Sequence, residues 1–168
     1  MAVLAIVVTL IVLRHNSHNL VQSASSSSRE IDTRARNFFH NGQIDSAVYY
    51  FTILSTRFSH DQAKPADVAL SCHANTSLAT IYTNFFYDYP KAENYLMRAD
   101  SIAQCNNLQE ELGNIYLAQA NLAYDKKNIE GNFDYQPDVM HMFTKAFYQA
   151  QRVKNIYYES ERMIFNDF

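Results

Sequence analysis

Residues 78–103 read LATIYTNFFYDYPKAENYLMRADSIA, from Leu78 to Ala103. Before the break at Tyr87-Asp88-Tyr89-Pro90, Leu78, Ala79, Tyr82 and Phe86 recur at helical spacing. After it Ala92, Tyr95, Leu96, Ala99, Ile102 and Ala103 do the same. Pro90 has no amide proton, so it suits the first turn of a helix, where that donor would lack an intrahelical partner. A break this short makes the two helices antiparallel neighbours. The stretch is a helical hairpin, and the flanking sequence repeats the pattern.

Upstream, Ser27 and Glu30 have capping-box spacing and start a helix whose apolar face is Ile31, Ala35 and Phe38. Asn41-Gly42 ends it, because glycine takes the left-handed position past a helix C-terminus. A second helix carries Ile44, Ala47, Val48, Phe51, Leu54 and Phe58 on one stripe. Ser59 to Lys64 is a polar break, and Pro65 opens the helix that runs into the central hairpin. Downstream, Asn107 and Glu110 repeat the capping-box spacing, predicting a fifth helix with Leu108, Leu112, Ile115, Tyr116 and Leu122 inward. Asp125 to Gln136 reads as a polar loop. Pro137 starts a sixth helix bearing Val139, Met142, Phe143, Ala146, Ala150 and Val153, and Ile156 to Phe165 reads as a seventh.

The fold class expected is therefore all-α, tandem antiparallel hairpins with about seven helices. Composition agrees: with only three Gly and three Pro in 168 residues, few positions can serve the tight turns of a sandwich or barrel. The 12 Tyr and 11 Phe are read as filling between helices, since a base-stacking platform would interleave them with Lys and Arg. A net charge of −3 gives no electrostatic case for nucleic acid.

Ala2 to Leu13, AVLAIVVTLIVL, is the most apolar run. As a helix it spans about 18 Å, short of the roughly 30 Å of a bilayer core. It reads as a signal-peptide core or as a membrane helix clipped by a late start codon, with a buried soluble helix as the alternative. No Lys or Arg precedes it and Arg14 follows, which favours a cytoplasmic side after the run. Small residues at Ser23, Ala24 and Ser25 could host cleavage. The domain division expected is an apolar anchor over 1–20, a Ser-rich linker over 21–28 and a helical body over 29–168.

The hairpins resemble the tetratricopeptide repeat family, which places small residues where paired helices touch and large ones between them. Ala35, Phe38, Ala47 and Phe51 fit that pattern in the first hairpin. Leu78, Ala79, Tyr82, Ala92, Leu96 and Ala99 fit it in the second, with one extra residue in the turn. Leu112, Gly113 and Tyr116, then Ala146 and Ala150 more loosely, fit it in the third. Ile31 stands at the family's Trp position, and Ser59 stands where its closing Pro would be. The wording YTNFFYDYPKAENYLMRA followed by LGNIYLAQANLAYD also resembles the repeat regions of bacterial membrane-tethered sensor-regulators.

The resemblance implies a concave groove, lined by the first helix of each pair, that takes a peptide or partner helix. Carried over by position, the groove residues are Asp32, Arg36, Thr76, Thr80, Thr83, Glu110 and Asn114, a polar and nearly neutral set. Little else points to chemistry. Cys72 and His73 are adjacent and do not share a helix face, and no CxxC or HxxxH supplies further metal ligands. Met142 of Met140-His141-Met142 reads as core filler rather than a copper ligand. No catalytic triad order, HExxH, GxSxG or phosphate-binding glycine loop occurs. Glu110 with Glu111, and Glu159 with Glu161, read as solvated faces. Asn75-Thr76-Ser77 is a mid-helix glycosylation sequon.

The function expected is a non-catalytic protein-interaction module without metal or cofactor. It would be the repeat part of a membrane-tethered, exported or periplasmic bacterial signalling protein. The alternative is an assembly scaffold of an envelope complex. The apolar end IFNDF implies that the chain continues into further repeats, or that its C-terminal helix is covered by a partner or a second copy.

Overall fold

The computed structural model describes residues 27–57, 65–129, 131 and 137–153. The apolar run at 2–13, the cleavage candidates at 23–25, Phe58, the polar break at 59–64, Glu159, Glu161 and the seventh helix at 156–165 lie outside them, as do linker residues 21–26, whereas Ser27 and Ser28, expected in the linker, begin the first helix. The described residues form six α-helices and no strand: α1 (Ser28–His40), α2 (Ile44–Arg57), α3 (Pro65–Asn84), α4 (Tyr89–Cys105), α5 (Gln109–Ile129) and α6 (Pro137–Val153). No helix among them is long and apolar enough to cross a membrane.

The ends follow local chemistry. Ser27 Oγ accepts from the Glu30 amide at 3.2 Å, and the Glu30 carboxylate accepts from the Ser27 amide at 3.0 Å. Together they satisfy two donors that the first turn leaves open. After α1, Gly42 sits at φ +71°. The Gly42 amide donates to Phe39 O and the Gln43 amide to Phe38 O, closing the helix end. Asp88 caps α4, accepting from the Lys91 amide, and Pro90 lies in its first turn.

Three boundaries differ from the sequence reading. Asn107 does not cap α5. It adopts φ +52°, its amide donates to Gln104 O and the Leu108 amide to Ala103 O. Asn107 thus terminates α4, a role asparagine can take because it tolerates the left-handed region. The expected loop from Asp125 is also too early, since α5 continues to Ile129. Lys126 and Lys127 favour that last turn through the helix dipole, and they pair with Glu93 and Asp138. Finally, α3 ends at Asn84, so Phe86 leaves the helix and is 44% exposed rather than inward.

Each helix packs on the next in sequence, and α3 additionally packs on both α1 and α5. The core is divided to match. Ile31, Ala35, Ala47, Phe51, Leu54, Ala74, Leu78 and Ile81 form a cluster among α1, α2 and α3. A second, including Cys72, Ala79, Ala92, Leu96, Ala99, Leu112 and Ile115, lies among α3, α4 and α5. Ala120, Val139 and Phe143 form a third between α5 and α6. Tyr82 and Tyr95 pack against both larger clusters, their rings stacked at 5.6 Å. The alanines expected at helix contacts (Ala35, Ala47, Ala79, Ala92 and Ala99) are completely buried. Where α5 meets α6, Gly113 lies against the backbone of Ala150.

Not every ring is core. Phe85, Phe86 and Tyr87 crowd the turn between α3 and α4 and are 44–65% exposed, with Tyr87 at φ +53°. Phe39, from the tip of the first hairpin, meets Phe85 edge-on at 5.9 Å.

Candidate functional site

Because α3 packs on both α1 and α5, these three helices make one layer, and its outer face carries charged side chains beside buried positions. Asp32 and Arg36 come from α1, one turn apart. Asp32 is only 5% exposed, and its Oδ2 lies 2.8 Å from Arg36 Nε. Its other oxygen, Oδ1, has no hydrogen-bond partner and stands 3.9 Å from Nε2 of His73 on α3. The His73 ring rests edge-on against Phe51 at 6.2 Å. Glu111, from the first turns of α5, is half-buried, and its Oε2 is a second acceptor without a partner.

Electrostatics follow from burial. Burial pushes the His73 imidazole below its ordinary pKa, and the Arg36 charge pushes it further, while Asp32 opposes both. His73 is therefore neutral at pH 7. Burial raises the pKa of Glu111, whereas the Asn114 side chain and Arg36 pull it back. Cys72, beside His73 but facing the core, has its thiol pushed up to about 12, mainly by burial. It is a packed thiol whose Sγ lies 3.3 Å from Ala99 O, and no nucleophile.

Two hollows open along this face. One, of about 240 Å³, is walled by Phe39, Phe51, Ser77, Thr80 and Ile81. The other, of about 370 Å³, is walled by Arg29, Asp67, Leu70 and Glu111. Arg36 and His73 belong to both, so the hollows form one trough pinched at that pair.

The expected groove residues divide. Arg36 and Thr80 line the trough. Asp32 lies beneath it as the anchor of Arg36. Asn114 is half-buried near Glu111, and Glu110 is exposed. Thr76 and Thr83 are a correction, being only 6% and 2% exposed. Each hydroxyl donates to the carbonyl one turn back, Thr76 to Cys72 O and Thr83 to Ala79 O. A hydroxyl satisfied within its own helix can be buried at little cost. The open face of α3 is His73, Ser77 and Thr80.

His73 and Glu111 line these hollows but were not among the residues expected. The available signal was their spacing: His73 falls at i, i+4 and i+7 with Ser77 and Thr80. Glu111 stands beside Glu110 but on the inward edge of α5.

Other candidates close. Asn75 of the sequon is fully buried and donates to Ser71 O at 2.8 Å, so no glycan can be attached in the folded chain. No group of three or more metal-binding side chains occurs among the described residues. Both cysteines are free, Cys72 buried and Cys105 exposed. Compared with known proteins, the chain matches no family model, no curated protein and no solved structure.

Proposed function

We propose that this chain is a non-catalytic module that holds a protein partner along the outer face of α1, α3 and α5, in the manner of a tetratricopeptide repeat array. The observation that carries the reading is the trough itself. It crosses helices from consecutive hairpins, and unpartnered carboxylate oxygens lie at its floor and wall. Buried acceptors left open cost stability unless something supplies donors. An extended backbone supplies them at regular intervals.

The apolar run Ala2–Leu13 supports a setting at a membrane, anchored or exported, as the repeat part of a bacterial sensor-regulator. A second reading, a scaffold subunit of an envelope complex, is favoured by the aromatic edge at Phe85, Phe86 and Tyr87. That edge is a separate exposed surface able to meet another subunit.

Selection of a random peptide display library on the full-length chain in mild detergent tests the first reading. Selected peptides should bind wild type and lose binding to Arg36→Ala and to Thr80→Tyr, which fills the smaller hollow. Peptides that bind both variants as well as wild type would exclude the trough. Loss of binding in Phe85→Ser, with the trough variants unaffected, would favour the scaffold.

A further inference from the structure

The two halves of the trough differ in chemistry. The smaller half has apolar walls in Phe39, Phe51 and Ile81, with Ser77 and Thr80 contributing the methyl and hydroxyl groups of its rim. It is roomy enough for one aliphatic side chain. The larger half is charged. Asp67 and Glu111 line it and Asp32 lies beneath, against the guanidinium groups of Arg29 and Arg36. Three carboxylates against two guanidiniums leave an excess of negative charge. His73 is neutral and does not offset it. The hydrogen-bond inventory leans the same way. Two acceptors, Glu111 Oε2 and Asp32 Oδ1, have no hydrogen-bond partner, against one donor, Arg36 Nε, which is already ion-paired with Asp32 Oδ2 at 2.8 Å.

Spacing links the halves. On α3 the charged half is walled around Ala69 and Leu70, and the apolar half around Ser77 and Thr80. These centres are about nine residues apart, or about 13 Å at a helical rise of about 1.5 Å. An extended peptide covers that distance in about four residues at about 3.3 Å each. Residues four apart on an extended chain project to the same side, so one peptide can place both side chains into the trough.

We propose that the trough recognises an extended peptide carrying an aliphatic residue and a lysine or arginine four positions apart, the aliphatic group beside Phe51 and the cation beside Glu111. This rests on the peptide-binding reading above and adds the class of sequence bound. The cation supplies the donors that Glu111 Oε2 lacks, and the aliphatic chain covers the apolar walls.

The test uses labelled nine-residue peptides of Gly and Ser with Leu at position three and Lys at position seven, and the reversed arrangement, titrated against the full-length chain. One of the two should bind. Replacing its Lys by norleucine should weaken binding about tenfold or more, the usual scale for a hydrogen bond to a charged group. Glu111→Gln should cause a similar loss, and the two changes together should add little beyond either alone. Moving Lys to position six should also weaken binding. Thr80→Tyr should remove the dependence on Leu, and the melting temperatures of both variants establish that they fold.

A peptide with Glu in place of Lys that binds more tightly would overturn the assignment and give the site to a carboxylate on Arg36. So would a crosslink from benzoylphenylalanine at Ser77 to residues 1–26 of the same chain in place of the peptide. Display-selected peptides that need Arg36 and Thr80 but lack this spacing would sink the inference and leave the peptide-binding reading intact. Absence of any trough-dependent peptide would remove both.

Discussion

Replacing Gly113 by Ala should stabilise the protein, although the site is buried and closely approached. Gly113 lies inside α5 with an ordinary helical backbone, so it gains nothing from glycine's freedom and carries its cost. Relative to alanine that cost is about 1 kcal/mol within a helix. A methyl placed there would meet the Ala150 nitrogen at 3.6 Å, its Cα at 3.8 Å and its Cβ at 3.9 Å. These are van der Waals contact distances, so the methyl fills space without displacing α6. Burying it contributes up to about 0.8 kcal/mol more. The expected gain is therefore about 1–2 kcal/mol, or a few degrees of melting temperature at this chain length. Urea unfolding followed by circular dichroism measures it. Gly113→Leu is the control, because its added carbons run into the Ala150 backbone and should destabilise by about 1–3 kcal/mol. Loss of stability in Gly113→Ala would mean that α5 and α6 approach more closely than described, and equal stability of Gly113→Leu would mean that they do not touch there.

Ala47→Leu and Ala92→Leu should each cost about 1–3 kcal/mol, since both alanines are completely enclosed between helices; unchanged denaturation midpoints in both would refute the helix register. Ellman's reagent at pH 8 should titrate one thiol in the native protein, the exposed Cys105, and a second only on unfolding, because burial holds the Cys72 thiol near 12. Two fast thiols, or none, would contradict this. His73 should make the fold acid-sensitive. Its folded pKa is depressed, so the unfolded chain binds the extra proton, and its contribution, present above the unfolded value near 6.5, is lost as pH falls through the folded value. His73→Asn should flatten the fall in stability below pH 6.5, and an unchanged slope would place His73 in water.

Much of the fold could be read from the chain because its signals are local. Ser27 with Glu30, Gly42 and Pro90 act within one helical turn, and the structure puts them to the expected use. The inward stripes of α1, α2 and α4 were legible too, since each of these helices has a wet side that polar residues mark. The face of α3 was not. Four helices cover it, and Ser71, Asn75, Thr76 and Thr83 are all buried, so polarity no longer reports exposure. The expected stripe took Thr76 and Thr83, which are buried, and passed over His73 and Ser77 on the open side. Glu111 was hidden for a related reason. Its neighbour Glu110 is exposed, and nothing in two adjacent glutamates tells which one turns inward. Asn107 misled because asparagine serves both to begin a helix and to end one.

The position of α3 also sets how the molecule opens. Two of the three buried clusters draw side chains from α3, whereas α6 packs chiefly against α5 among the described residues. Resistance to transient opening should be graded along the chain rather than uniform. Backbone amides of α3 can exchange with solvent only when both larger clusters part, which amounts to unfolding the array. Those of α6 need only its separation from α5. A ligand seated across α1, α3 and α5 would slow exchange in the helices that are already slow and leave α6 as labile as before. Helix α6 could then be exchanged or displaced while the occupied face stays intact.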